Sequence, residues 1–263
     1  MSVLSDGSSS PNYFSRLFAL IWLSVVQLVR PPSAPYRAEA FRRMRWQVLW
    51  LVVAGALATV ALMLTFDATE IGMMPPRGTP SLWPARIVTD FGKDDYWLGT
   101  LAAILAVIAL VIPLLTRSSR VRLARYGWRA QYLFLALLVP VLMGVVIKWV
   151  VGRGRPFVGG KANAFNFAPF NGTEAYASLP SSHAITAGAL AFAVAAIWPR
   201  ARIAMAIYAL LIMATRLVLL AHHPSDVVAG GLLGVIGAMA VRYWLAARRL
   251  GFTVRNNGEI GSR

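Results

Sequence analysis

Three stretches of the chain concentrate residues that can handle an anion: KWVVGRGRP (148–156), LPSSHAITA (179–187) and ATRLVLLAHHPSD (214–226). Together they hold Lys148, Arg153, Arg155 and Arg216 as cations, Ser181 and Ser182 as hydroxyls, Asp226 as a carboxylate, and all three histidines, His183, His222 and His223. Lys148 and Arg155 lie about two helical turns apart, which places both cations on one face if the helix continues. Gly152, Gly154 and Pro156 oppose that continuation, yet they let backbone approach a ligand closely. In the second stretch a serine following Pro180 reads as a helix cap. The free N–H groups and positive dipole end of such a helix attract phosphate. Arg216 sits in an apolar run, where a guanidinium is costly without an anionic partner. Asp226, three or four residues past the histidine pair, can accept a hydrogen bond from an imidazole Nδ1. The Nε2 lone pair is then left free, as a nucleophile and its orienting group require.

Each stretch alone has a plainer reading. Lys148 can snorkel, the arginines can meet lipid headgroups, and Ser181 with His183 can be an ordinary cap beside a boundary histidine. Their convergence on one side of the chain's apolar segments is what favours a site. A histidine pair also suggests a metal. Clustered cations repel a dication, however, and a chain without cysteine offers no thiolate, so no metal is expected. Within the pair, helical counting favours His223, which shares a face with Arg216, whereas His222 lies about 120° away. Pro224 opposes this count, because the residue before a proline avoids helical dihedrals and the helix is expected to end at or before the pair.

These groups must be held by membrane-spanning helices. Of the 263 residues, 58% are hydrophobic and 14% charged, well under the roughly 25% charged share of soluble domains. Six segments are expected to cross: residues 46–66, 97–116, 131–151, 183–198, 203–221 and 227–247, the fourth being the shortest. Residues 14–29 are apolar but short and are expected to form an interfacial helix. The net charge of +16 would suggest nucleic acid in a soluble protein, but 18 of the 26 basic residues fall at 16–45, 117–129, 200–202 and 242–263. They flank alternate ends of the apolar runs, as cytoplasmic loops do, and suit anionic lipid headgroups rather than nucleic acid. Both termini are then expected in the cytoplasm, with the three stretches facing outward.

The expected architecture is all-α. Residues 1–13 form a disordered N-terminus, 14–45 an interfacial helix with a basic segment, 46–247 a six-helix membrane domain, and 248–263 a basic tail. Gly230, Gly234 and Gly237 are expected to let helices pack closely. The connection at residues 157–180 is aromatic and can serve as an interfacial belt or help seat a lipid chain. The sequon Asn171-Gly172-Thr173 matters only in a eukaryotic host.

The three stretches resemble the signature motifs of the type-2 phosphatidic acid phosphatase superfamily. Lys148, Arg155 and Pro156 match its first motif; Pro180, Ser181 and His183 match its second, with Ser182 in the glycine place. Arg216, His222 and Asp226 match its third, with Thr215 replacing serine. The resemblance covers residues 148–226 in order and implies His222 as the nucleophile that forms a phosphohistidine. It implies Asp226 as the group orienting His222, and His183 as the acid for the leaving oxygen and then the base for water. Lys148, Arg155, Arg216, Ser181 and Ser182 are implied as the phosphate cradle. No cofactor is implied, since the cations do what magnesium does in many phosphoryl-transfer sites. The expected function is a metal-independent membrane lipid phosphatase. Its substrate classes are those of the family: phosphatidic acid, phosphatidylglycerol phosphate, undecaprenyl diphosphate or lipid A. A lipid phosphotransferase using the same intermediate, or an inactive lipid-binding or transport protein, is the alternative. The arginine-rich, lysine-poor composition fits a bacterial inner membrane protein with its site on the periplasmic face; oligomeric state is left open.

Overall fold

The computed structural model describes residues 12–32, 34–160, 162–254 and 260–262. The disorder expected at the N-terminus therefore lies, up to residue 11, outside the described residues. Among the described residues nine α-helices follow in order: α1 (Tyr13–Val29), α2 (Ala34–Thr65), α3 (Asp67–Met73), α4 (Trp83–Asp90), α5 (Asp94–Val111), α6 (Arg117–Val151), α7 (Ser182–Ile197), α8 (Arg202–Val218) and α9 (Pro224–Ala247). Two short antiparallel strands, β1 (Phe252–Val254) and β2 (Ile260–Ser262), close the chain. The all-α expectation holds.

Among the described residues, five helical stretches are long and apolar enough to cross a membrane: residues 37–65, 80–114, 117–151, 199–218 and 224–247. The fourth expected span, 183–198, corresponds to α7 and is not among them. Its 16 residues reach about 24 Å at 1.5 Å per residue, short of a hydrocarbon layer of about 30 Å. Burial explains how so short a helix is housed. Every residue from Ala184 to Leu190 is buried, so α7 meets α6, α8 and α9 rather than lipid. Tyr132, Ala136 and Leu137 of α6, Ile185, Ala189 and Ala193 of α7, and Ala238 and Leu245 of α9 form the core. The exterior carries Trp50, Leu57, Leu64, Leu142, Val145 and Leu210 exposed. Such an apolar coat is stable only where lipid covers it, with backbone polar groups satisfied within the helices.

The close packing expected from glycine is present where α9 crosses α7. A Cβ at Gly234 would strike the Ile185 carbonyl oxygen, and one at Gly230 the Ser181 carbonyl oxygen. Gly188 of α7 faces the Gly231 carbonyl in the same way, while Gly237 packs on Pro140 of α6. This crossing sets the start of α7 against the start of α9. With the ends of α6 and α8 they share one end of the bundle, the end that carries all three motifs.

At the opposite, basic end lies α1. Asn12 caps it by accepting a hydrogen bond from the Ser15 N–H at 2.8 Å. The Tyr13 hydroxyl donates to the Leu110 carbonyl at 3.0 Å, at the end of α5. At its other terminus, Trp244 Nε1 donates to the Leu28 carbonyl at 3.1 Å and Arg30 donates to the Arg248 carbonyl at 2.8 Å, both at the end of α9. The helix therefore bridges the basic-side ends of α5 and α9.

Candidate active site

α6 stops at Gly152, whose left-handed conformation (φ 57°, ψ 48°) lets its N–H bond back to the Lys148 carbonyl at 2.9 Å. A Cβ there would collide with the Ala168 carbonyl, so glycine is required twice over. The connection from 152 to 181 then folds back along itself. Gly154 N–H donates to the Asn166 carbonyl at 2.8 Å, Arg155 N–H to the Ala175 carbonyl at 2.9 Å, and Ser178 N–H to the Arg153 carbonyl at 3.0 Å. Lys148 and Arg155 meet through this folded loop rather than along a continuing helix. Lys148 Nζ donates to the Ala177 carbonyl at 3.1 Å. Arg155 is held by the Glu174 carbonyl at 2.9 Å and by the exposed Glu174 carboxylate at 2.8 Å.

Ser181 takes the N-cap position of α7 as expected, but its hydroxyl makes no capping bond. Its N–H instead donates to the Asp226 carbonyl at 3.1 Å, joining the starts of α7 and α9. Ser181 Oγ, His183 Nε2 and Arg216 Nε are buried and have no hydrogen-bond partner. Buried polar atoms are nearly always paired, and an unpaired one costs about 1–3 kcal/mol, so these three motif residues each keep a polar atom available to a further partner. Arg216 is fixed from its other side, its Nη1 donating to Thr89 Oγ1 of α4 at 2.7 Å. The turn after α4 closes over His183: a Cβ on Gly92 would lie 3.1 Å from the imidazole Cδ2. Ser182, the first residue of α7, is half-buried beside them.

The structure separates the two adjacent histidines. α8 ends at Val218 and Leu220 turns with φ 48°, so the helical count from Arg216 does not reach the pair. His222 is buried and faces Arg216, Arg155 and Lys148. Burial, then these charges, push its imidazole well below the ordinary histidine range, so it stays neutral near neutral pH. His223 is fully buried and feels a different set of charges, those of Asp226, Arg153 and Asp67.

His222 Nδ1 lies 2.8 Å from the Ser178 carbonyl. A carbonyl only accepts, so Nδ1 carries the proton and Nε2 holds the free lone pair. The orienting hydrogen bond expected from Asp226 is thus made by main chain; Asp226 Oδ2 is 3.9 Å from Nδ1. Asp226 acts one bond further out, accepting from Ser178 Oγ at 2.6 Å and from the His223 N–H at 2.9 Å. Its other oxygen accepts from Arg153 Nη1 at 2.6 Å. Ser178, Thr89 and Asp67 were missed in the sequence reading, and Arg153 was counted only among the cations. An arginine two residues from a motif arginine is the available signal; Thr89 and Asp67 lie in the connection at residues 67–96, far from the motifs in sequence.

One end of a helical bundle with an apolar exterior thus brings together unpaired buried polar atoms, a neutral imidazole and three cations from the three motifs. The chain belongs to the PAP2 superfamily, whose match covers residues 129–250, and it is an integral-membrane lipid phosphatase of that family. The chain is 33% identical over 189 residues to a lipid A 1-phosphatase of Rhizobium etli, covering 71% of this chain and 79% of the relative. It is 34% identical over 194 residues to a lipid A 1-phosphatase of Rhizobium johnstonii, covering 71% and 75%. No solved structure matches the chain significantly.

Proposed function

We propose that this phosphatase removes a phosphate from a lipid A-type glycolipid at the periplasmic face of a bacterial inner membrane, through a phosphohistidine on His222. The observation that carries this reading is the set of unpaired buried atoms, Ser181 Oγ, His183 Nε2 and Arg216 Nε, beside a His222 whose Nε2 is free. The substrate class is taken from the two relatives, and the periplasmic placement from the basic residues at the opposite end.

In the first step His222 Nε2 attacks phosphorus, the bond from phosphorus to the leaving oxygen breaks, and His183 delivers a proton to that oxygen. Lys148, Arg155 and Arg216 offset the charge on the non-bridging oxygens, with Ser181 and Ser182 supplying hydroxyl donors. In the second step His183 takes a proton from water as the water oxygen attacks phosphorus. The phosphorus–nitrogen bond breaks and phosphate leaves. Asp226 steadies His222 through Ser178. The cations stand where a metal would otherwise neutralise charge, so the reading requires none.

The test is phosphate release by the purified protein from lipid A, phosphatidic acid, phosphatidylglycerol phosphate and undecaprenyl diphosphate, with and without EDTA. Acid-labile label should be trapped on His222 from radiolabelled substrate. Preference for a glycerophospholipid would sink the substrate class, loss of activity on chelation the metal-free chemistry, and label on a different residue the nucleophile. Labelled lipid product in place of inorganic phosphate would indicate a phosphotransferase.

A further inference from the structure

Asp67 begins α3, outside the three motifs and outside the residues matched by the PAP2 superfamily. It is nevertheless fully buried, as are Arg153, Ser225 and Asp226. Arg153 Nη2 donates to Asp67 Oδ2 at 2.8 Å, and Nη1 donates to both Ser225 Oγ and Asp226 Oδ1 at 2.6 Å. Nε and Nη2 also donate to the Ala164 carbonyl, at 3.2 and 2.7 Å, so the five N–H groups of the guanidinium have acceptors. Asp67 in turn receives the Ser225 N–H at 3.0 Å on Oδ1 and the Ser225 hydroxyl on Oδ2. One carboxylate from the start of α3 thus grips the first turn of α9 directly and through Arg153.

We infer that Asp67 is a positioning residue of the phosphatase reaction, holding the turn that carries His222 through Arg153, Ser225 and Asp226. This rests on the reading of His222 as nucleophile. The path continues without a break: Asp226 Oδ2 receives Ser178 Oγ, and the Ser178 carbonyl receives His222 Nδ1. The arrangement uses two carboxylates for one guanidinium. Exchanging a buried ion pair for apolar packing is often neutral or stabilising, so fold stability alone is a weak account of it. What the pair specifies is direction. Arg153 shared between Asp67 and Asp226 pins the Asp226 carboxylate where Ser178 needs it. A displacement of about 1 Å at a reacting group lowers rate by about 100-fold.

The experiment is single-turnover formation of phosphohistidine from radiolabelled lipid A by the full-length protein in detergent, for the parent, Asp67→Asn, Ser225→Ala and the double variant. The trapped amplitude counts competent sites and the rate constant reports their geometry. Asp67→Asn should lower the rate constant about 10- to 100-fold with amplitude per folded protein kept and KM within a few-fold, because Lys148, Arg155 and Arg216 are untouched. Ser225→Ala should lower it less, and the double variant should be no slower than Asp67→Asn, since both break one linkage. An unchanged rate constant in Asp67→Asn, or a lower amplitude at an unchanged rate constant, would overturn the inference, as would multiplying effects in the double variant. Should Asp67→Asn not fold, an unchanged rate constant in Ser225→Ala overturns it equally. A parent that forms no phosphohistidine overturns the reading of His222 and this inference together; a labelled parent beside an unaffected Asp67→Asn overturns the inference alone.

Discussion

Glu70 provides a test of how the buried acidic cluster behaves. It lies one helical turn after Asp67 on α3, is 1% exposed, and neither of its carboxylate oxygens has a hydrogen-bond partner. Burial, then the neighbouring Asp67 charge, pushes its carboxyl up from the ordinary 4.5 to about 7. The folded protein therefore holds this proton more tightly than the unfolded chain does. The resulting stability is fully present below about pH 4.5 and is lost as pH rises through about 7. At about 1.4 kcal/mol per pH unit, the separation corresponds to about 3 kcal/mol. Glu70→Gln replaces the carboxyl by a neutral group of the same shape and removes the titration. Parent and variant should unfold at similar temperatures at about pH 5. At about pH 8.5 the variant should be more stable by about 3 kcal/mol, a rise in Tm of about 6–12 °C for a chain of this size. Thermal unfolding in detergent at the two pH values measures the difference. An equal gap at both pH values, or a variant less stable than the parent at the higher one, would refute the reasoning and imply that Glu70 has an ionic partner.

Other outcomes follow from the same geometry. His222→Ala should abolish turnover, at least about 1,000-fold, while His223→Ala should only reduce it; steady-state phosphate release decides, and the reverse order would reassign the nucleophile. Glu174→Gln frees Arg155 from an exposed ion pair of small energy, so KM for lipid phosphate should fall by no more than about five-fold with kcat retained, and a raised KM would mean that Glu174 serves substrate. Gly234→Ala forces a methyl against the Ile185 carbonyl and should cost about 1–3 kcal/mol by thermal unfolding. Gly72→Ala, which meets nothing within 4 Å, should cost nothing, and equal effects would remove the α7–α9 crossing as the cause.

The long apolar helices and the grouping of the motifs at one end were legible in the sequence, because apolar length follows from the membrane itself, whereas the short α3 and α4 were not. The choice between the histidines was only half legible. Pro224 signalled the helix end, but which ring faces the cations depends on the turn at Leu219 and Leu220, where one residue takes a positive φ without any glycine to announce it. The crossing of α7 and α9 was readable as small residues on one helix, though not as the partner carbonyls they meet. Asp67 is one of five acidic residues between 67 and 96, with Glu70, Asp90, Asp94 and Asp95, and composition does not separate it from the others. Only the tertiary approach of α3 to α9 distinguishes it. The bond from Asp226 to the imidazole was expected from spacing. It is displaced because the loop carrying Ser178 inserts a nearer acceptor, and a backbone carbonyl has no sequence signature.

That carbonyl has an unusual standing under mutation. The proton on His222 Nδ1 is assigned by the main chain of residue 178, not by any side chain. Replacing Ser178 by alanine deletes the hydroxyl that reaches Asp226 and leaves the carbonyl in the chain. Every amino acid placed there presents the same acceptor. Which ring nitrogen of His222 keeps its lone pair is therefore insulated from single substitutions at its own contact, and variation can alter it only by moving the loop.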